Sequence, residues 1–98
     1  MTAAVSLVSK LFQGALEDTF PMVIKVRSYA FMRKYTAHLE NDGELHVPEQ
    51  ATIGEVLQHL GVPQSAKKII LVNGRPALPA RILQAHDLLV FYPVLEGG

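Results

Sequence analysis

The segment from Thr52 to Pro63 constrains this chain more than any other. Thr52 followed three residues later by Glu55 forms a capping box, in which each residue's side chain satisfies an orphan backbone donor of the other. Ile53, Val56, Leu57 and Leu60 then recur at three- and four-residue spacing and make one apolar stripe. Gly61 can take the left-handed conformation past a helix end without a Cβ penalty, and Pro63 cannot continue the helix. The start, the stop and the buried face are all specified, so the fold must supply one apolar surface for this helix to cover.

The flanking segments read as strands that make that surface. Met22 to Ser28 alternates Ile24, Val26 and Ser28 with Val23, Lys25 and Arg27, which gives a strand one apolar face and one cationic face. Phe31, Tyr35 and Leu39 lie four residues apart and predict a short helix within Tyr29 to Leu39. Asn41-Asp42-Gly43 is a turn signal, and Glu44 to Val47 is a short strand, antiparallel to the first, that Pro48 ends. Lys68 to Val72 is β-branched and apolar; Asn73-Gly74 suits a type I′ hairpin that returns through Arg75 to Leu78. Pro76 and Pro79 mark the return strand as a sheet edge. Leu88 to Tyr92 is a continuous apolar run, as expected of a strand in the middle of a sheet.

This order predicts an α+β fold: a mixed sheet of four or five strands with one main helix packed across one face, as in a ubiquitin-type β-grasp. The domain is expected to span residues 22–98, with a tail at 93–98 ending in Gly97-Gly98, behind an N-terminal extension at 1–21. Val5, Val8, Leu11, Phe12 and Leu16 give that extension an amphipathic helical pattern, weakened by Gly14 and stopped by Pro21. It reads either as a docking helix for a partner or as a tail that frays or packs back on the core.

Composition removes several function classes. With 98 residues, 49% of them apolar and 18% charged, the chain is one small globular domain. Nine basic and nine acidic residues cancel, so the electrostatic footprint of nonspecific nucleic-acid binding is missing. The absence of cysteine excludes disulfides, thiolate zinc sites and thiol nucleophiles. His38, His46, His59 and His86 are scattered without ligand spacing, which argues against a metal site, and His86 is expected in a tight turn. Ser6, Ser9, Ser28 and Ser65 lie in no nucleophile elbow. Arg33-Lys34 and Lys67-Lys68 read as solvated charges, and no glycine-rich phosphate loop is present. The apolar run Ala3 to Val8 is broken by Ser6 and lacks a basic flank, and no run approaches the roughly 20 residues of a membrane span. A soluble, cytoplasmic protein with no membrane or nucleic-acid partner is the expectation.

The last two residues, Gly97-Gly98, form a bare chain that can thread a narrow channel and adapt to different sites. Taken alone they could equally be a solubilising end. Their context is more specific. Thr52-Ile53-Gly54-Glu55-Val56-Leu57, Leu71-Val72-Asn73-Gly74-Arg75, the turn Leu83 to Asp87 and the end Phe91-Tyr92-Pro93-Val94-Leu95-Glu96-Gly97-Gly98 stand in the order and spacing of the MoaD/ThiS ubiquitin-like sulfur carriers. Tyr29-Ala30-Phe31-Met32-Arg33-Lys34-Tyr35 resembles the segment that follows the first strand in that family, so the resemblance covers Met22 to Gly98. Ala85-His86, Val94 and Glu96 depart from the family pattern, and Pro93 after Tyr92 is closer to molybdopterin-synthase small subunits than to thiazole-synthesis carriers.

The resemblance implies a carrier rather than an enzyme, with Gly98 as the reactive residue: its carboxylate is adenylated and converted to a thiocarboxylate that donates sulfur, most closely in molybdopterin synthesis. A carboxylate is anionic and a poor electrophile; adenylation gives it a leaving group that a sulfur nucleophile displaces. No cofactor is bound, since the ATP belongs to the activating enzyme. The implied partners are an adenylating enzyme of the MoeB/ThiF type and a MoaE-like or ThiG-like sulfur acceptor. The alternatives are a thiamine-thiazole carrier, a ubiquitin-like modifier conjugated to lysines through Gly98, and a passive β-grasp interaction module. If Leu89 and Phe91 face the helix, Leu88, Val90 and Tyr92 face outward beside Lys25 and Arg27. With Pro93, Glu96 and Gly97 they make the expected partner contact, in which Glu96 either pairs with a cation or stays solvated. The competing expectation is that residues 1–20 fold over this face.

Overall fold

The computed structural model describes residues 20–94. Five strands form one sheet: β1 (Met22–Ser28), β2 (Glu44–Val47), β3 (Lys68–Val72), β4 (Arg75–Pro76) and β5 (Leu88–Pro93). Their spatial order is β2-β1-β5-β3-β4. β1 and β5 are parallel, and the β1–β2, β3–β5 and β3–β4 pairs are antiparallel. The sheet is therefore mixed, with β5 at its centre, as the apolar run had predicted, and β4 at an edge.

Among the described residues one α-helix, α1 (Ile53–His59), lies over one face and buries Ile53, Val56 and Leu57. The predicted capping box is present: the Glu55 backbone N–H donates to Thr52 Oγ1 at 3.2 Å, and the Thr52 N–H donates to Glu55 Oε1 at 2.9 Å. At the other end Gly61 is left-handed, with φ +89°; its N–H reaches the Gln58 carbonyl and the Val62 N–H reaches that of Leu57. These two bonds make a Schellman motif, so both ends of the helix are closed by the residues that signalled them.

Beneath α1 the core gathers Ile24, Val26, Leu45, Val47, Val72, Leu89 and Phe91 from the strands, all at most 1% exposed. It also contains Phe20, ahead of the expected domain start at Met22, so the packed unit reaches into the presumed extension. The rest of that extension, residues 1–19, lies outside the described residues.

Two local expectations are corrected. The segment after β1 is a 3-10 helix, Ala30–Tyr35, rather than an α-helix running to Leu39. At three residues per turn Met32 and Tyr35 share a side, so Met32 is buried while Phe31, in line with Tyr35 and Leu39 in the expected helix, is 67% exposed. The return strand after the hairpin is only Arg75–Pro76. Ala77 adds one more bond, to the Ile70 carbonyl, before Leu78 leaves the sheet; Pro76 and Pro79 have no N–H to extend the ladder.

Candidate functional site

The site is built by the two-residue alternation of the strands. In β5, Leu89, Phe91 and Pro93 point to the helix side and are buried, while Leu88, Val90 and Tyr92 are half-buried on the opposite face. The register places Arg27 and Leu71 on either side of Val90, Lys25 beside Leu88, and Ile69 beside Tyr92. The face turned away from α1 is thus an apolar stripe from β5 and β3 with two cations of β1 along it. Leu88, Val90, Tyr92 and Arg27 come together there, whereas Pro93 belongs to the buried side.

The cations are not free in the monomer. Arg27 donates from Nη2 to Asp42 Oδ2 at 2.5 Å, and Lys25 Nζ lies 3.9 Å from the same oxygen. All three side chains are well exposed, so water screens these pairs and each contributes little stability. Glu44, opposite Lys25, lies 3.6 Å from His46, whose Nδ1 is within 3.3 Å of the Phe20 carbonyl.

The carboxyl end of β5 defines where the tail departs. Pro93 is in register with Lys68, and the Val94 N–H donates to the Lys67 carbonyl at 3.3 Å. Because β1 and β5 run parallel, the residues following β1 reach the same margin of the sheet. Tyr29, Phe31, Ile69 and Val94 are the exposed large apolar residues on the segments that meet there. Tyr29 and Phe31 carry no site role in the sequence, where Phe31 marks only a four-residue helical spacing; the three-residue turn that exposes Phe31 is set by the burial of Met32. Glu96, Gly97 and Gly98, the remaining expected site residues, lie outside the described residues.

The turn that precedes β5 is locked from the β3–β4 hairpin. Asp87, only 7% exposed, accepts from Asn73 Nδ2 at 2.9 Å and from the Gln84 N–H at 2.8 Å. Asn73 Oδ1 in turn accepts from the Leu88 N–H. His86 stands in this turn with φ +69°, the left-handed conformation expected of it. These bonds fix the entry of β5 and hence the pitch of Leu88, Val90 and Tyr92 on the face turned away from α1. Among the described residues no three His, Asp or Glu side chains are grouped to hold a metal ion, and no helix is long and apolar enough to cross a membrane.

Residues 22–97 match the sequence model of the family described as Mut7-C ubiquitin. Three solved structures from Haloferax volcanii share the fold. The small archaeal modifier protein 1 in one crystal structure is 17% identical, with a TM-score of 0.62 over 76% of this chain and all of that one. A second crystal structure, of SAMP1, gives 20% identity and a TM-score of 0.60, covering 78% of this chain and 99% of that one. The solution structure of the HVO 2177 protein gives 22% identity and 0.59, covering 79% and 87%. No curated protein matches the chain significantly. The ubiquitin-like β-grasp expected from the order of elements is the fold, and the resemblance to ubiquitin-like proteins of the MoaD/ThiS kind is upheld at the level of family and fold.

Proposed function

We propose a function from one premise: the chain belongs to the Mut7-C ubiquitin family. It is a ubiquitin-like carrier, activated by a partner enzyme at the carboxyl group of Gly98, and it performs no catalysis by itself. The observation that carries this reading is the exit of the chain from the central strand. β5 runs out at Pro93 beside an open apolar face, so a partner docked on Leu88, Val90 and Tyr92 meets the Leu95-Glu96-Gly97-Gly98 segment that follows.

In the activation step the Gly98 carboxylate attacks the α-phosphorus of ATP held by an adenylating enzyme of the MoeB/ThiF type. Pyrophosphate leaves and an acyl adenylate remains. Hydrosulfide then displaces AMP from the acyl carbon and leaves the thiocarboxylate directly, whereas a persulfide displaces AMP to leave an acyl disulfide that a thiol reductant cleaves to the thiocarboxylate; that sulfur is then passed to an acceptor enzyme. The likeness of the sequence to molybdopterin-synthase small subunits makes a MoaE-like acceptor the first choice, ahead of a ThiG-like one. No internal thiol competes for the activated carbonyl, since the chain has no cysteine.

A second reading has an observation of its own. Two crystal structures that share the fold are of small archaeal modifier protein 1 and of SAMP1, which favours conjugation of Gly98 to lysine amines of other proteins. The two readings share the adenylate and part at the nucleophile. Intact mass after incubation with ATP, an adenylating enzyme and a sulfur donor separates them: exchange of one terminal oxygen for sulfur in the wild type, and none in a variant lacking Gly98, is the expected result. Appearance of lysine-linked conjugates without sulfur exchange selects the modifier reading, and no change with an enzyme competent on another carrier sinks both. The same mass establishes whether Gly98 is the last residue of the mature chain, which both readings require.

A further inference from the structure

The turn between the 3-10 helix and β2 is unusual in its backbone. Asn41, Asp42 and Gly43 all have positive φ, at +52°, +64° and +91°. Non-glycine residues enter this region singly and at a cost, so two in succession ahead of a glycine form a strained turn that the surrounding structure must hold. What it holds is Asp42, whose Oδ2 faces both Arg27 and Lys25.

Arg27 is served incompletely by that partner. Asp42 takes only Nη2, and Arg27 Nε is buried with no hydrogen-bond acceptor. A buried N–H without an acceptor is rare, because it has given up its water and received nothing in exchange. Arg27 lines an open cleft of about 260 Å³ together with Ser28, Tyr29, Thr36, Asp42 and Gly43. The Ser28 and Thr36 hydroxyls bond to each other at 2.7 Å, and neither accepts from Arg27 Nε. Arg27 is also the cation in register with Val90, at the middle of the open face.

We propose that Asp42 is an intramolecular placeholder for an acidic side chain of the protein partner. On docking, an aspartate or glutamate flanked by apolar residues displaces Asp42, and the freed Arg27 side chain turns to grip it side-on, through Nε and one terminal nitrogen together. The apolar neighbours settle on Val90, Leu71 and Tyr92. The exchange favours docking on two counts: the orphaned Nε gains its acceptor in the two-pronged geometry that carboxylates give guanidinium groups, and the strained turn is released from its task. Asp42 and its turn thereby tune affinity, since the partner must outcompete a carboxylate already in place. Lys25 reaches the turn only through the same Asp42 oxygen, at 3.9 Å, and is not part of the fork.

This inference rests on the carrier reading, and its test separates the two. The KM for the carrier and kcat are measured in ATP–pyrophosphate exchange by an adenylating enzyme of the MoeB/ThiF type, for the wild type, Arg27→Lys, Asp42→Asn and Lys25→Met. Arg27→Lys keeps the charge and loses the fork, so its KM is expected to rise about tenfold, equivalent to ~1.4 kcal/mol, with the effect on KM rather than kcat. Asp42→Asn keeps a residue tolerant of the left-handed conformation and removes the competing charge, so its KM is expected to fall by about threefold, or ~0.6 kcal/mol. Lys25→Met, which removes one charge away from the fork, is expected to raise KM by at most about twofold. Melting temperatures close to wild type for all three exclude misfolding as the cause. An Asp42→Asn variant with unchanged or higher KM overturns the placeholder, and a Lys25→Met effect equal to that of Arg27→Lys overturns the fork in favour of bulk charge. Absence of exchange with the wild type sinks the carrier reading and this inference with it.

Discussion

The side-chain amide of Asn73 donates to the carboxylate of Asp87 at 2.9 Å, while its carbonyl oxygen accepts from the Leu88 N–H at the same distance. One residue at the tip of the β3–β4 hairpin therefore fixes both the turn before β5 and the first residue of that strand. It does so from a left-handed backbone, with φ +53°. The side-chain bonds and the left-handed backbone can be pulled apart by substitution. Asn73→Gly keeps the backbone accessible and removes both side-chain bonds, which should lower stability by about 1–3 kcal/mol because a buried acceptor loses its partner. Asn73→Ala removes the same bonds and adds about 1–2 kcal/mol of left-handed strain. Urea titration of the two variants should give unequal midpoints, with alanine the lower; coincident curves would remove the strain contribution.

Two glycines with nearly the same backbone make a second comparison. Gly43 has φ +91° and Gly61 has φ +89°, so an alanine is strained at either position. Their surroundings differ. A Cβ at Gly61 meets nothing, but one at Gly43 would sit against the Val26 carbonyl oxygen, whose own amide bonds back to the Gly43 carbonyl at 2.9 Å. Gly61→Ala should cost about 1–2 kcal/mol, the ordinary left-handed penalty. Gly43→Ala must also part β1 from the turn and is expected to cost at least twice that, roughly 3 kcal/mol or more. Thermal melts of the pair read the difference, and equal losses would mean that the turn moves aside.

These positions also mark how far the sequence could be read. The α1 helix was legible to the residue because its signals are local: Thr52 and Glu55 bond each other, and Gly61 ends it by its own backbone. The Asn73-Gly74 hairpin was legible for the same reason, and the alternation in β1 and β5 correctly sorted Ile24 from Lys25 and Phe91 from Val90. The 3-10 helix was not, because over six residues the choice between three and four residues per turn is settled by the burial of Met32 against the sheet, a tertiary fact. The Arg27–Asp42 pair was also beyond reach. It depends on the β1–β2 register and on the left-handed turn at Asn41 and Asp42 together, and Asn-Asp-Gly announces only that a turn is there.

The capping box isolates the helix from the site. Thr52→Ala removes the acceptor for the Glu55 N–H and half of the reciprocal arrangement, for an expected loss of about 1 kcal/mol. Since α1 covers the face of the sheet opposite Val90, the variant should melt lower yet be adenylated with an unchanged KM. A KM change at temperatures where the variant is fully folded would show that the helix side also meets the activating enzyme.

The two sides of β5 give the sharpest division between folding and docking. Phe91 is fully buried under α1, whereas Val90, its neighbour in the chain, is half-buried on the open face between Arg27 and Leu71. Phe91→Ala empties a core site and should cost about 3–5 kcal/mol, enough to unfold much of a domain this small. Val90→Asp puts a carboxylate beside Arg27, where the two charges can meet in water, so its melting temperature should stay within a few degrees of wild type, a change of about 1 kcal/mol or less. The same carboxylate opposes the acidic side chain expected from the partner and must be desolvated with the stripe, so adenylation of the folded variant should weaken by at least about tenfold. Loss of folding in Val90→Asp would instead indicate that this face is buried within the monomer, the outcome expected if residues 1–20 fold over it, and would move the partner contact to the margin of the sheet at Tyr29 and Phe31.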